Sequence, residues 1–311
     1  METLSPEEGK PKITLARRLV QVASFLLVNY VVFEVLFSTS LYLLDPYFLV
    51  LPFLHTPRAG WSRGSGLFEL FMYQVTQGTF PFLLFGVLIL LGLFGGRVFC
   101  GWACPTGTLQ DLFAKFPSKN RRMSIQRDRS TKKVKLVVLV LILLMFFPVG
   151  FLTFNDTVQE YALELGDLAD RPVSLFSLSE FLFAFFPSRL RLFVDDPTSN
   201  PFFSSGWVAL RLLLFSILCV VSAYYPRFYC RVLCPYGAFI SLFSEYSFVR
   251  LGRNPVKCPG RKECGECEKA CPLQIRILDE PWEGFTGGGE CVLCLKCKER
   301  CPHKAIEWRF L

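Results

Sequence analysis

The sequence predicts an α-helical membrane protein with four transmembrane helices, both ends of the chain on the cytoplasmic side, and a small α+β domain at the C-terminus. Three observations predict it. About half of the 311 residues are apolar and 33 are Phe, gathered in long unbroken runs, a composition typical of membrane proteins. A stretch that starts at Arg97 returns, altered, from Arg227. Of 13 cysteines, eight fall in the last 61 residues, 251–311.

Residues 1–15 are polar and read as a disordered N-terminus. Residues 16–250 read as the membrane domain. A helix crossing a hydrocarbon core of roughly 30 Å needs about 20 apolar residues, and four stretches qualify: 19–37, 80–94, 136–152 and 207–225. The first follows Lys10, Lys12, Arg17 and Arg18 but is long for a signal peptide, and no A-x-A site follows it, so it reads as an uncleaved anchor. Two outer segments, within 38–77 and 173–193, are apolar but interrupted by Pro46 and Pro52, and by Glu180 and Pro187. They read as interfacial.

Loop charge sets orientation. Residues 97–135 hold ten Lys and Arg against Asp111 and Asp128, whereas 154–205 hold eight Asp and Glu against three Arg. This places the repeat and both termini inside, in a multi-pass protein of a bacterial cytoplasmic (inner) membrane. The net charge of +8 sits beside the apolar runs, which points to topology and anionic lipid rather than nucleic acid. Twelve of the cysteines fall on the predicted cytoplasmic side, where thiols stay reduced, so metal or redox chemistry is expected instead of disulfides. Cys219, in mid-span, reads as core.

Residues 251–311 read as a separate domain, too short to be held by apolar burial alone. The run CVLCLKCKERCP places Cys291, Cys294, Cys297 and Cys301 at C-x2-C-x2-C-x3-C-P, the bacterial ferredoxin spacing for a [4Fe-4S] cluster. Ahead of it, CPGRKECGECEKACP gives Cys258, Cys264, Cys267 and Cys271. Here the first gap is five residues, and Arg261 stands where the strict pattern has its first cysteine. With ferredoxin-style exchange of the fourth ligand, cluster one takes Cys258, Cys264, Cys267 and Cys301. Cluster two takes Cys291, Cys294, Cys297 and Cys271. Zinc sites use pairs of C-x2-C rather than such triples. The fold expected is a two-cluster bacterial-ferredoxin-like domain in the cytoplasm, and its work is electron transfer.

The repeat is RVFCGWACPTGTLQDLF against RFYCRVLCPYGAFISLF. Cys100, Cys104, Cys230 and Cys234 form two C-x3-C-P motifs, each at the inner end of a predicted span. In a continuous helix, residues four apart share a face, so each pair would project together. Pro105 and Pro235 can each start a new helix. A two-fold relation between the copies would bring four thiols together. The sequence leaves open whether they hold a third metal centre, act as redox dithiols or pack as small apolar groups. Arg97 and Arg227, three residues ahead of the first cysteine, read either as stabilising thiolate or a negatively charged centre or as snorkelling residues.

These motifs, on four apolar runs followed by a two-cluster tail, resemble the NapH-type membrane ferredoxins, which are similar to MauN and to the membrane cores of NosR and CcoG proteins. The resemblance covers the chain from about Arg17 onward. It implies a quinol-linked electron-transfer subunit, a component of a quinol dehydrogenase, partnered by a second iron–sulfur protein or reductase subunit. No flavin-attachment domain precedes the first apolar run, so covalent flavin is not expected. The only histidines, His55 and His303, lie outside the predicted spans, so haem is not expected either. Glu34, inside the first run, reads either as an acceptor for a quinol proton or as a carboxyl near the outer end that reaches the headgroups or a helix partner. The leading reading is therefore electron transfer between the quinone pool and a redox protein. Metal (copper) reduction or assembly at the C-x3-C-P cysteines, or redox sensing, stand as alternatives.

Overall fold

The computed structural model describes residues 12–28, 66–76, 78–116, 122–152, 178, 181–196 and 206–310. The helices in order are α1 (Lys12–Val28), α2 (Leu67–Thr76), α3 (Phe82–Gly95), α4 (Val98–Trp102), α5 (Pro105–Phe113) and α6 (Ile125–Leu152). A π-helical turn (Phe181–Phe185) leads into α7 (Phe186–Asp195), followed by α8 (Gly206–Tyr224), α9 (Phe228–Val232) and α10 (Pro235–Ser244). The C-terminal domain contributes β1 (Val249–Arg253), α11 (Glu266–Ala270), a short 3-10 turn (Ile277–Asp279), α12 (Lys296–Glu299) and β2 (Ile306–Phe310).

The four expected transmembrane helices are not found, and with them goes the argument for orientation. Among the described residues, no helix is long and apolar enough to cross a membrane. The reasons lie in where helices begin and stop. Gly95 and Gly96 end α3 after 14 residues, about 21 Å at 1.5 Å per residue. The first three turns of α6, IQRDRSTKKVK, are charged. In α1 the apolar part begins only after Arg17 and Arg18.

α6 packs along α2, α9 and α10, while α3 lies on α10 and α1 on α5. Phe68, Met72, Leu88, Ile142, Phe215 and Ile240 form the buried centre of this helical layer. Phe239 ties α10 to α2, its ring 5.5 Å from Phe68. β1 and β2 pair antiparallel from Val249↔Phe310 to Arg253↔Ile306. That pairing closes the end of the C-terminal domain onto its start, so all eight of its cysteines lie between two bonded strands.

Candidate functional site

The two copies of the repeat adopt nearly the same backbone. Each has a five-residue helix (α4, α9), a break, and a new helix with Pro105 or Pro235 in its first turn. Ala103 and Leu233 close the first helices at φ −122°, and Cys104 and Cys234 are the extended N-caps of the second, at φ −63° and −65°. A residue before proline is pushed out of the helical region. The cysteines of each pair therefore do not share one continuous helix, as four-residue spacing alone suggests. Cys100 and Cys230 lie in the first helix, and Cys104 and Cys234 at the mouth of the second.

Across the two copies the arginines are exchanged. Arg97 donates to the carbonyl of Cys230 at 3.3 Å, and Arg227 donates to the carbonyl of Cys100 at 3.0 Å. Gln110, on α5, donates to Cys230 Sγ at 3.1 Å and accepts from the Tyr229 backbone N–H at 3.1 Å. A Cβ at Gly107 would sit 2.8 Å from Cys100 O, and one at Gly237 2.7 Å from the Arg97 guanidinium. The glycine of C-P-x-G is thus the space through which the partner copy's arginine passes. Cys100, Cys230 and Cys234 are buried and Cys104 half-buried. Burial, then Cys100 and Cys230, push the Cys104 thiol up to about 12, and burial also raises Cys230 and Cys234. The four thiols lie within electrostatic reach of one another.

The buried arginines have separate counter-charges. Asp111 accepts from Arg227 at 3.1 and 2.9 Å and from Arg17 at 3.2 Å. Burial alone would raise its carboxyl, but Arg227 outweighs this and holds it well below the usual range. Arg97 pairs instead with Glu290 at 2.6 Å, and Lys135 binds the same carboxylate. Arg231 pairs with Asp128. The Nε of Arg97 is buried with no hydrogen-bond partner among the described residues.

In the C-terminal domain the cysteines line two cavities. One, of about 330 Å³, is lined by Cys258, Cys264, Cys267 and Cys301, with Arg253 and His303 in its wall. The other, of about 320 Å³, is lined by Cys271, Cys291, Cys294 and Cys297; its remaining wall is apolar, including Leu273, Ile275, Phe285 and Leu295. The third cysteine of each motif sits in a short helix, Cys267 in α11 and Cys297 in α12, and the fourth follows that helix and lines the opposite cavity. Left-handed residues start both helices, Gly265 at φ 82° and Leu295 at φ 59°. For Leu this costs about 1–2 kcal/mol, which fits a loop shaped for its contents.

Four thiols in an otherwise largely apolar wall suit an iron–sulfur cluster. Burial raises the Cys267 thiol to about 11 and those of Cys271, Cys291 and Cys297 also upward, so these four are protonated when free. Among the described residues no three His, Cys, Asp or Glu side chains stand close enough for a single metal ion; a cubane holds each thiolate on a separate iron. Arg261 points away from the cavity and pairs with Glu268 at 2.9 Å and Asp279 at 2.7 Å.

The second cavity rests on the first copy of the repeat. Trp102 donates to the Leu293 carbonyl at 2.9 Å. A Cβ at Gly101 would stand 2.2 Å from Val292 O, so only glycine lets α4 touch that loop. Gln21, on α1, donates to Gly101 O at 3.1 Å and Asp111 at 3.2 Å. Sequence reasoning missed Gln21, Gln110, Asp111 and Glu290 as site residues. The signal available was polarity inside otherwise apolar surroundings, and for Glu290 its place directly before Cys291. Glu34 and His55 lie outside the described residues. Cys219 is half-buried in α8, away from both cavities.

A family model described as "4Fe-4S binding domain" matches the chain twice, at residues 77–124 and 207–254. Each match contains one C-x3-C-P motif. YccM of Escherichia coli, named for electron transport, is 28% identical over 78% of this chain and 60% of its own length. The ferredoxin-type protein NapH of Haemophilus influenzae is 24% identical over 71% of this chain and 65% of its own. The regulatory protein NosR of Pseudomonas aeruginosa is 26% identical over 68% of this chain and 25% of its own. The chain thus spans less than two thirds of the length of each of these relatives. No solved structure matches. The two matched segments support two [4Fe-4S] clusters, and the chain is similar to iron–sulfur electron-transfer proteins of the NapH type and to NosR.

Proposed function

We propose that this protein passes electrons between the quinone pool and a partner redox protein, with one cluster on Cys258, Cys264, Cys267 and Cys301 and the other on Cys271, Cys291, Cys294 and Cys297. The observation that carries this reading is the pair of four-cysteine cavities, the second seated on the C-x3-C-P repeat through Gly101, Trp102 and the Arg97–Glu290 pair. When bound, each cluster supplies a one-electron couple.

The protein's own part is to hold thiolates, exclude water and set the local charge. Arg253 and His303 line the first cavity and favour the more negative, reduced state there. The apolar wall of the second disfavours added charge. The second set of thiols therefore holds the donor and the first the acceptor, nearer the partner. The four repeat thiols, flanked by Arg97 and Arg227, mark the side on which electrons enter. Exposed apolar side chains on α3 and α8, among them Phe82, Leu83, Leu213 and Val220, support contact with a membrane, where a quinol is available.

Anaerobic preparation with iron, sulfide and EPR analysis tests the reading. The expected content is about eight irons per chain, with the second-cavity signal at the lower potential in a redox titration. Cys100→Ser with Cys230→Ser is expected to slow reduction by quinol. Unchanged quinol oxidation together with lost metal reduction or binding would sink the electron-entry assignment in favour of metal handling.

A further inference from the structure

Beside Cys271 lies a third opening, of about 690 Å³, where α1, α5 and the C-terminal domain meet. Its wall carries Arg18, Lys115, Arg122, Lys269 and Lys296, and among the described residues that line it the one carboxylate is Asp111. That carboxylate is already bonded to Arg227 and Arg17, and Arg18 is 4.0 Å from it. Arg122 is oriented by the carbonyls of Glu268 and Lys269. Lys269 is already paired with Glu266 at 2.6 Å; the other four cations, with Asp111 engaged by Arg17 and Arg227, repel one another unless an anion joins them.

A second feature says which anion. On α1, Leu15, Leu19, Val22 and Leu26 recur at helical spacing and are 61%, 64%, 54% and 44% exposed. This apolar stripe runs along the helix that carries Arg18. A headgroup in the cavity would leave its acyl chains beside that stripe. We propose that this cavity binds a phosphate group, and that its source is an anionic phospholipid rather than free phosphate. The site is independent of how the clusters are ligated.

The cluster-loaded chain is tested by flotation with phosphatidylcholine vesicles, with and without phosphatidylglycerol, and with inorganic phosphate alone by phosphorus NMR. The variant Arg18→Gln/Lys115→Gln/Arg122→Gln is compared with Lys262→Gln/Arg300→Gln/Lys304→Gln, which removes the same charge elsewhere. Iron content and circular dichroism report that both fold. Phosphatidylglycerol is expected to strengthen binding. The first variant should lose about a hundredfold, from roughly 1 kcal/mol per cation at a membrane surface; the second should lose less than about threefold. Equal losses in the two variants, or none in either, would overturn the site. Binding of inorganic phosphate that only the first variant loses, without preference for phosphatidylglycerol, would overturn the lipid as its source.

Discussion

The two copies of the repeat share a backbone and differ in what they touch. In the second, position 231 is a buried arginine held by Asp128, and position 241 is a serine. In the first, the matching residues are Gly101 and Asp111. Gly101 admits the backbone of the second cavity's loop, and Asp111 answers Arg227 from within the pair of repeats. Ser241 offers Arg97 no such answer. Instead a Cβ at Gly289 would lie 2.0 Å from the Ser241 carbonyl, so the loop comes close there and delivers Glu290 to Arg97. The residues the copies share build a symmetric frame, and those they do not share seat one domain in one orientation.

The largest break in that comparison comes from the thiols. Cys294→Ser is expected to remove about four irons, and Cys264→Ser about four others, with different EPR signals lost. Loss of the same signal from both would contradict two separate sets.

Next come the two buried carboxylates. Asp111→Asn strands Arg17 and Arg227, and Glu290→Gln strands Arg97 and Lys135, each at a cost of about 3–5 kcal/mol in denaturant unfolding. Only Glu290→Gln should also release the C-terminal domain to proteolysis near Asn254. Because Asp111 is held ionised below its unfolded value, its contribution is complete above about pH 4 and disappears as pH falls further toward the folded value. Wild type should therefore lose stability between pH 5 and pH 3 more steeply than Asp111→Asn, as unfolding curves at the two pH values would show.

Gly101→Ala should cost about 1–3 kcal/mol by forcing the Val292 loop away, visible as faster amide exchange at residues 291–295. The smallest effect is expected at Arg261→Gln. Its ion pairs are 43% exposed on the arginine side, so the change is at most about 1 kcal/mol and iron content should be unaltered.

How much of this could be read beforehand differs by kind of residue. Cysteine spacing is local: Cys258, Cys264, Cys267 and Cys301 line one cavity and Cys271, Cys291, Cys294 and Cys297 the other, and the ligation itself is what the iron analysis tests. The partners of Arg97 and Arg227 could not be read, because Glu290 is 193 residues from one and Asp111 is 116 residues from the other. The apolar runs misled for a third reason. Counting apolar residues takes no account of Gly95 and Gly96 ending α3. Pro105 and Pro235 are read correctly as helix starts, but each also pushes the cysteine before it out of the preceding helix, which four-residue spacing does not show.

The crossing of Cys271 and Cys301 to opposite cavities makes the tail indivisible. A chain cut between Pro272 and Glu290 would keep four consecutive cysteines of the ferredoxin type, yet only three belong to one nest and the fourth to the other. With the ligation proposed above, neither half can hold a cluster alone, and both inorganic cores enter a segment that has already met its own far end.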